Sequence, residues 1–228
     1  MRDITAAKAS RIGPATCALL AVVLSILNTP PGAGAGVPVH REQLIPILGV
    51  TFGTGEQPTG TVANLILSFD QRDDHGGLAL HFKAWPGRFS PMAQTAVKQA
   101  IYRTAKAAGL SPDSWTVVLA VPEPGLTVYG ESLSAMVGVS VIAMAKGDPI
   151  APGRVLTGTV TPDGHIAPVG SLALKVDAAG QAHMQRVVVP DALDPADGDW
   201  STPFLLQVSP VGSVSQAYQA LTDHPLRP

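Results

Sequence analysis

The spacing of hydrophobic residues changes along the chain, and each change marks an element. Residues 61–69 (TVANLILSF) form an apolar, β-branched run of strand length. A polar turn cluster runs from Asp70 to Gly77, and residues 78–83 then alternate as a returning strand, so the two are expected to form a hairpin. Ser90-Pro91 puts a capping hydroxyl before a proline at the first helical position. From there Met92, Ala96, Val97, Ala100, Ile101 and Ala105 recur at helical spacing, Lys98, Arg103 and Lys106 fall on other faces, and Gly109 ends the helix. Residues 116–121 (TVVLAV) predict a short buried strand. Residues 134–145 (SAMVGVSVIAMA) are apolar nearly all round, which predicts a central helix buried on every side. Further strands are expected at 154–161, 186–189 and 204–208, and short helices at 172–179 and 214–221. In the last of these Val214, Ala217, Tyr218 and Leu221 make one stripe. The sum is a single α+β domain of mixed sheets with packed helices.

The N-terminus has a different pattern. Arg2, Lys8 and Arg11 precede an apolar run at 15–27 (ATCALLAVVLSIL), which Asn28-Thr29-Pro30-Pro31 breaks, and Ala33-Gly34-Ala35 fits a small-x-small cleavage site. A helix over that run rises about 20 Å, short of the roughly 30 Å hydrocarbon core. Residues 1–35 are therefore expected to be a cleaved signal peptide, with a short N-terminal membrane segment as the alternative. Cys17 lies inside the run and does not mark a lipidation site. The organisation expected is a Pro/Gly-rich lead-in at 36–47, a folded domain at 48–222 and a tail at 223–228. The protein is expected to be exported, periplasmic or secreted, with membrane anchoring or peripheral association as the alternative.

Composition narrows the chemistry. The 228 residues are 46% hydrophobic and only 14% charged, against about 25% charged in an average domain. Such a chain can bury a core, which excludes global disorder. A net charge of −2 provides no basic field for nucleic acid. One cysteine excludes a disulfide framework and a cysteine zinc site. The six histidines follow no ligand spacing, and Asp73-Asp74-His75 is expected to be a solvated turn rather than a metal site. No GxxxxGK[ST] loop and no GxGxxG after a strand is present. No cofactor and no metal are expected.

The informative stretch is 121–175. A strand runs into a loop and then into the apolar helix, with Gly130-Glu131-Ser132 at the junction. Ser132 there can cap the helix, a role for which Ser134 competes, or act as a nucleophile beside free N–H groups that stabilise an oxyanion. Lys175 lies in a short apolar helix, where it either snorkels to water or, if buried, loses its proton and acts as a base.

The spacing of several motifs resembles the proteolytic domain of Lon proteases. Val121-Pro122-Glu123 through Gly130-Glu131-Ser132 is similar to that family's V-P-E stretch leading to G-x-S, and Gly130-Glu131-Ser132-Leu133-Ser134 is similar to its G-D-S-A-S variant. Gly147-Asp148-Pro149 matches G-x-P, Thr157-Gly158-Thr159-Val160 matches T-G-E-I, and 164–170 (GHIAPVG) matches G-x-V-x-P-I-G. Lys175 then falls at the family's lysine position, 43 residues after Ser132 without insertion. Weaker similarity extends from about Leu48 to the 208–221 end.

The resemblance implies a fold like domain 2 of ribosomal protein S5, with Ser132 as nucleophile and Lys175 as general base. It also implies that Thr157 helps to position the lysine, and that Gly130 and Glu131 support the nucleophile. The activity implied is a serine endopeptidase acting on unfolded or flexible protein segments through an acyl-enzyme, with a hexameric homo-oligomer by analogy; because the ATPase part that the family normally couples to it is not seen in this sequence, the activity is expected to be ATP-independent. The sequence departs from the family at Tyr129, Thr159, Ser171 and Ala173, and at Val118 and Ala120, where some members carry histidines. Two alternatives stay open: a catalytically inactive Lon-like module that binds peptides or assembles partners, and a Ser/His hydrolase using His81 or His165.

Overall fold

The computed structural model describes residues 39–52, 57–192, 194, 197 and 201–227, which belong to one unit spanning 38–228. The expected signal or membrane segment at 1–35 lies outside the described residues, as does the end of the tail.

β1 (His40–Thr51) and β2 (Thr59–Gln71) pair antiparallel along their whole length, from His40 opposite Asp70 to Thr51 opposite Thr59. Residues 40–47, expected as lead-in, are therefore sheet. Charged side chains at its start obscure the strand, and Pro46, which cannot donate to a ladder, is tolerated because β1 lies at the sheet edge.

β3 (Ala79–Phe82) and β5 (Trp115–Ala120) complete this four-stranded sheet in the order β1-β2-β5-β3. The expected hairpin is thus split: β2 pairs antiparallel with β5, and β3 pairs parallel with the far side of β5. The polar 70–77 cluster crosses the end of β5 instead of making a tight turn. Arg72 N–H donates to Ser114 O at 2.7 Å and Gly77 N–H to Asp113 O at 2.7 Å, which anchors the crossing. Asp73, Asp74 and His75 are exposed, as a solvated turn requires.

α1 (Pro91–Ala107) starts where the capping pattern places it, with Ser90 Oγ accepting from Ala93 N–H at 3.2 Å. β4 (Arg88–Phe89) and β6 (Thr127–Val128), which have no sequence signature, form a short parallel pair. α2 (Ser134–Lys146) is buried at every position from Ser134 to Met144. It crosses α1 closely at Gly138, where a side-chain carbon would come within 2.9 Å of Thr104 Cγ2. These helices and the large sheet enclose the main core.

The second half of the domain is a parallel sheet of β7 (Arg154–Leu156), β10 (Arg186–Pro190) and β11 (Gln207–Val211), in the order β11-β10-β7. α3 (Leu172–Gln181) makes the β7-to-β10 crossover, and α4 (Val214–Thr222) buries its Val214, Ala217, Tyr218 and Leu221 stripe. Two strand expectations need correction here. Residues 154–161 are not one strand: β7 ends at Leu156, and β8 (Thr159–Val160) pairs instead with β9 (Ile166–Ala167). The expected strand at 204–208 begins at Gln207, because Leu205 takes a positive φ of 68° and Phe204 and Leu205 are exposed. The fold is α+β, as the pattern of elements predicts. Among the described residues no helix is long and apolar enough to cross a membrane.

Candidate active site

Ser132 sits at the mouth of α2, and the local chain explains why its side chain is available. The N-cap of α2 is Leu133, and no side chain makes a capping bond. The capping roles considered for Ser132 and Ser134 are therefore not taken up. Gly130 precedes the turn with φ 82°, a conformation that strains any residue with a Cβ. The exposed Glu131 accepts Ser134 N–H through its carbonyl at 2.8 Å. Ser132 and Leu133 N–H have no acceptor among the described residues, and Ser132 Oγ has no hydrogen-bond partner there.

The break between β7 and β8 belongs to the same construction. Gly158 N–H donates to Ser132 O at 2.9 Å, and Gly158 O accepts Ala135 N–H at 3.2 Å. The backbone at Gly158 thus leaves the strand ladder in order to hold the turn that carries Ser132. Thr157, beside it, is wholly buried, and its Oγ1 has no partner among the described residues.

α3 delivers Lys175. The side chain is 5% exposed and does not snorkel. Its amine donates to Gly170 O at 2.9 Å. Burial pushes its proton affinity below the ordinary lysine value, and the charge of Asp197 opposes that shift. α3 is seated against β2, where Gly60 allows the approach: a side-chain carbon on Gly60 would collide with the Leu174 carbonyl and lie 2.9 Å from Ala178 Cβ.

Ser132 and Lys175 line one cleft of about 370 Å³. Ile47–Thr51 of β1 and Phe52 after it form one wall, Leu126–Tyr129 form another, and Gly170 and Ser171 flank the lysine. The surface is mostly aliphatic, with Phe52 and Tyr129 exposed at the rim. Thr157 and Glu131 are not among the lining residues. Neither are His81 and His165. The His165 ring is instead held outside by Gly212 O at 3.0 Å and Asp163 at 3.4 Å, so no histidine considered as a base reaches Ser132. Among the described residues no cluster of His, Cys, Asp or Glu could hold a metal ion. Asp197, whose position in an Asp/Pro-rich stretch carries no periodic signal, escapes sequence reasoning, as does the β1 wall, which the apolar run at 44–48 (LIPIL) could have disclosed.

This arrangement defines a class: an α+β domain in which a serine at a helix mouth and a buried lysine share one open cleft. The family model of the Lon protease (S16) C-terminal proteolytic domain matches residues 91–197, from α1 to Asp197. An archaeal Lon protease of Archaeoglobus fulgidus is 29% identical over 93 residues, covering 40% of this chain and 15% of the relative. Those of Halobacterium salinarum and Thermoplasma volcanium are 35% identical over 65 residues and 34% over 64, each covering 28% of this chain and 9% and 10% of the relative. The chain thus spans a small part of these relatives. Residues 91–197 match the proteolytic domain of Lon proteases.

Proposed function

We propose that this protein is a serine endopeptidase in which Ser132 is the nucleophile and Lys175 the general base. The observation that carries this reading is that a buried lysine, its proton affinity lowered by burial, lines the same cleft as a serine hydroxyl with no partner among the described residues. A neutral amine that donates one hydrogen to Gly170 O keeps its lone pair for the Ser132 proton. As that proton moves, Ser132 Oγ attacks a peptide carbonyl. The Ser132 and Leu133 N–H groups at the helix mouth suit the developing oxyanion, each well-placed donor supplying about 3–4 kcal/mol. The protonated amine then gives its proton to the leaving nitrogen, and water hydrolyses the ester on Ser132. The cleft is open and lined by the edge strand β1, which suits an extended peptide with apolar side chains, as unfolded segments present. No step consumes a nucleotide, so cleavage is expected without ATP.

Two parts of the reading rest on the sequence alone: export, on the apolar N-terminal segment, and assembly into hexamers, on the family resemblance. The test of the main claim is cleavage of casein or an unfolded peptide. Ser132→Ala and Lys175→Ala should each abolish it. Wild-type cleavage that survives Ser132→Ala would overturn the assignment.

A further inference from the structure

Lys175 leaves a helix whose start is not capped by its own sequence. Ser171, the N-cap of α3, takes a left-handed conformation (φ 61°, ψ 37°) and makes no side-chain capping bond. The cap comes from the segment after β10: Asp197 Oδ1 and Oδ2 accept Leu172 N–H at 3.1 and 3.2 Å. A carboxylate there satisfies an orphan donor and lies at the positive end of the helix dipole. Leu172 is three residues before Lys175, and Gly170, which accepts the lysine's hydrogen bond, is two residues before Leu172. The contact that seats the helix start therefore lies within one turn of the amine's own hydrogen bond.

The charges around the amine are few. β1, β2 and β6 contribute no charged side chain to the cleft, and among the described residues its only other ionisable lining group is the exposed Tyr129 phenol. Glu131 at the mouth of α2 and Asp177 on α3 itself are exposed. Asp194 Oδ2 lies 3.9 Å from where a side-chain carbon on Gly170 would sit. Of all these, Asp197 is the carboxylate whose charge acts on the amine.

We propose that Asp197 is a positioning residue for Lys175: its grip on the first-turn amide of α3 aims the amine into the cleft, where the carboxylate also acts on it by charge. The proposal rests on the reading of Lys175 as the base. An anion favours the protonated amine, so removing it lets the amine deprotonate at lower pH. Asparagine keeps the capping acceptor and removes the charge, whereas alanine removes both.

The experiment pairs the pH dependence of unfolded-peptide cleavage with an NMR titration of the ¹³C-labelled Lys175 side chain, in wild type, Asp197→Asn and Asp197→Ala. Asp197→Asn should move both midpoints to lower pH and retain the alkaline plateau. Asp197→Ala should move them likewise and lose roughly tenfold or more on that plateau, as a misaimed catalytic group does. Unmoved midpoints in Asp197→Asn, or a full plateau in Asp197→Ala, would overturn the proposal. A shifted NMR midpoint in a protein that cleaves nothing would uphold the coupling and sink the peptidase reading instead.

Discussion

A lysine serves as a base only after it has lost its proton, and at position 175 burial pushes the proton affinity below the ordinary lysine value, against the charge of Asp197. The sign of the pH dependence follows. Cleavage should rise with pH as the amine deprotonates, and its midpoint should lie below the roughly 10.4 of a free lysine. A rate that stays flat from about pH 6 to 9, measured at fixed substrate, would speak against lysine as the base. Thr157 allows a separation of fold from function. Its buried hydroxyl has no partner among the described residues, so Thr157→Val should leave melting temperature unchanged or raised. If the hydroxyl steadies Lys175 during turnover, the same variant should lose about tenfold in kcat with little change in KM. Loss of stability together with unchanged kcat would assign Thr157 to the core alone.

Between residues and whole molecule, the elements decide whether serine and lysine meet. Gly60 is the position to test, because α3 rests there on the backbone of β2. Gly60→Ala should destabilise the domain by about 1–3 kcal/mol through overpacking. It should also cost on the order of 100-fold in activity by moving the helix that carries Lys175. Denaturant unfolding and peptide cleavage measure the two effects separately. The elements also show where the sequence was legible. Helix α1 follows from capping and periodicity, α2 from a run that is apolar nearly all round, and α4 from its apolar stripe, all of them local properties. The β2–β5–β3 order does not, because nothing within 70–77 tells a crossing from a tight turn; that choice is made by Ser114 and Asp113, some forty residues away. The interruption between β7 and β8 was equally hidden, since Gly158 answers to Ser132 rather than to its own strand. The spacing of motifs singles out Ser132 and Lys175 as candidates, while Asp197 is visible only through its contact with Leu172.

At the scale of the whole molecule, a buried amine is a cost that the fold carries. The unfolded chain holds the Lys175 proton up to about pH 10.4 while the folded chain releases it earlier, so across that interval the unfolded state binds more protons and stability rises with pH. Lys175→Met should therefore raise the melting temperature at pH 7, and its advantage over wild type should shrink as pH climbs towards 10. Calorimetry over that range reads the difference; an advantage independent of pH would mean that the amine titrates alike in both states. On the proposed reading, function and stability pull in opposite directions at Lys175. The most direct test of the serine–lysine pair is covalent. The protein is treated with a fluorophosphonate probe across a pH series, and the adduct is mapped by peptide mass spectrometry. A single adduct should form on Ser132, faster as pH rises, and should be absent in Lys175→Ala at neutral pH. Labelling of another residue, or labelling of Ser132 that is indifferent to both pH and Lys175, would contradict the pairing.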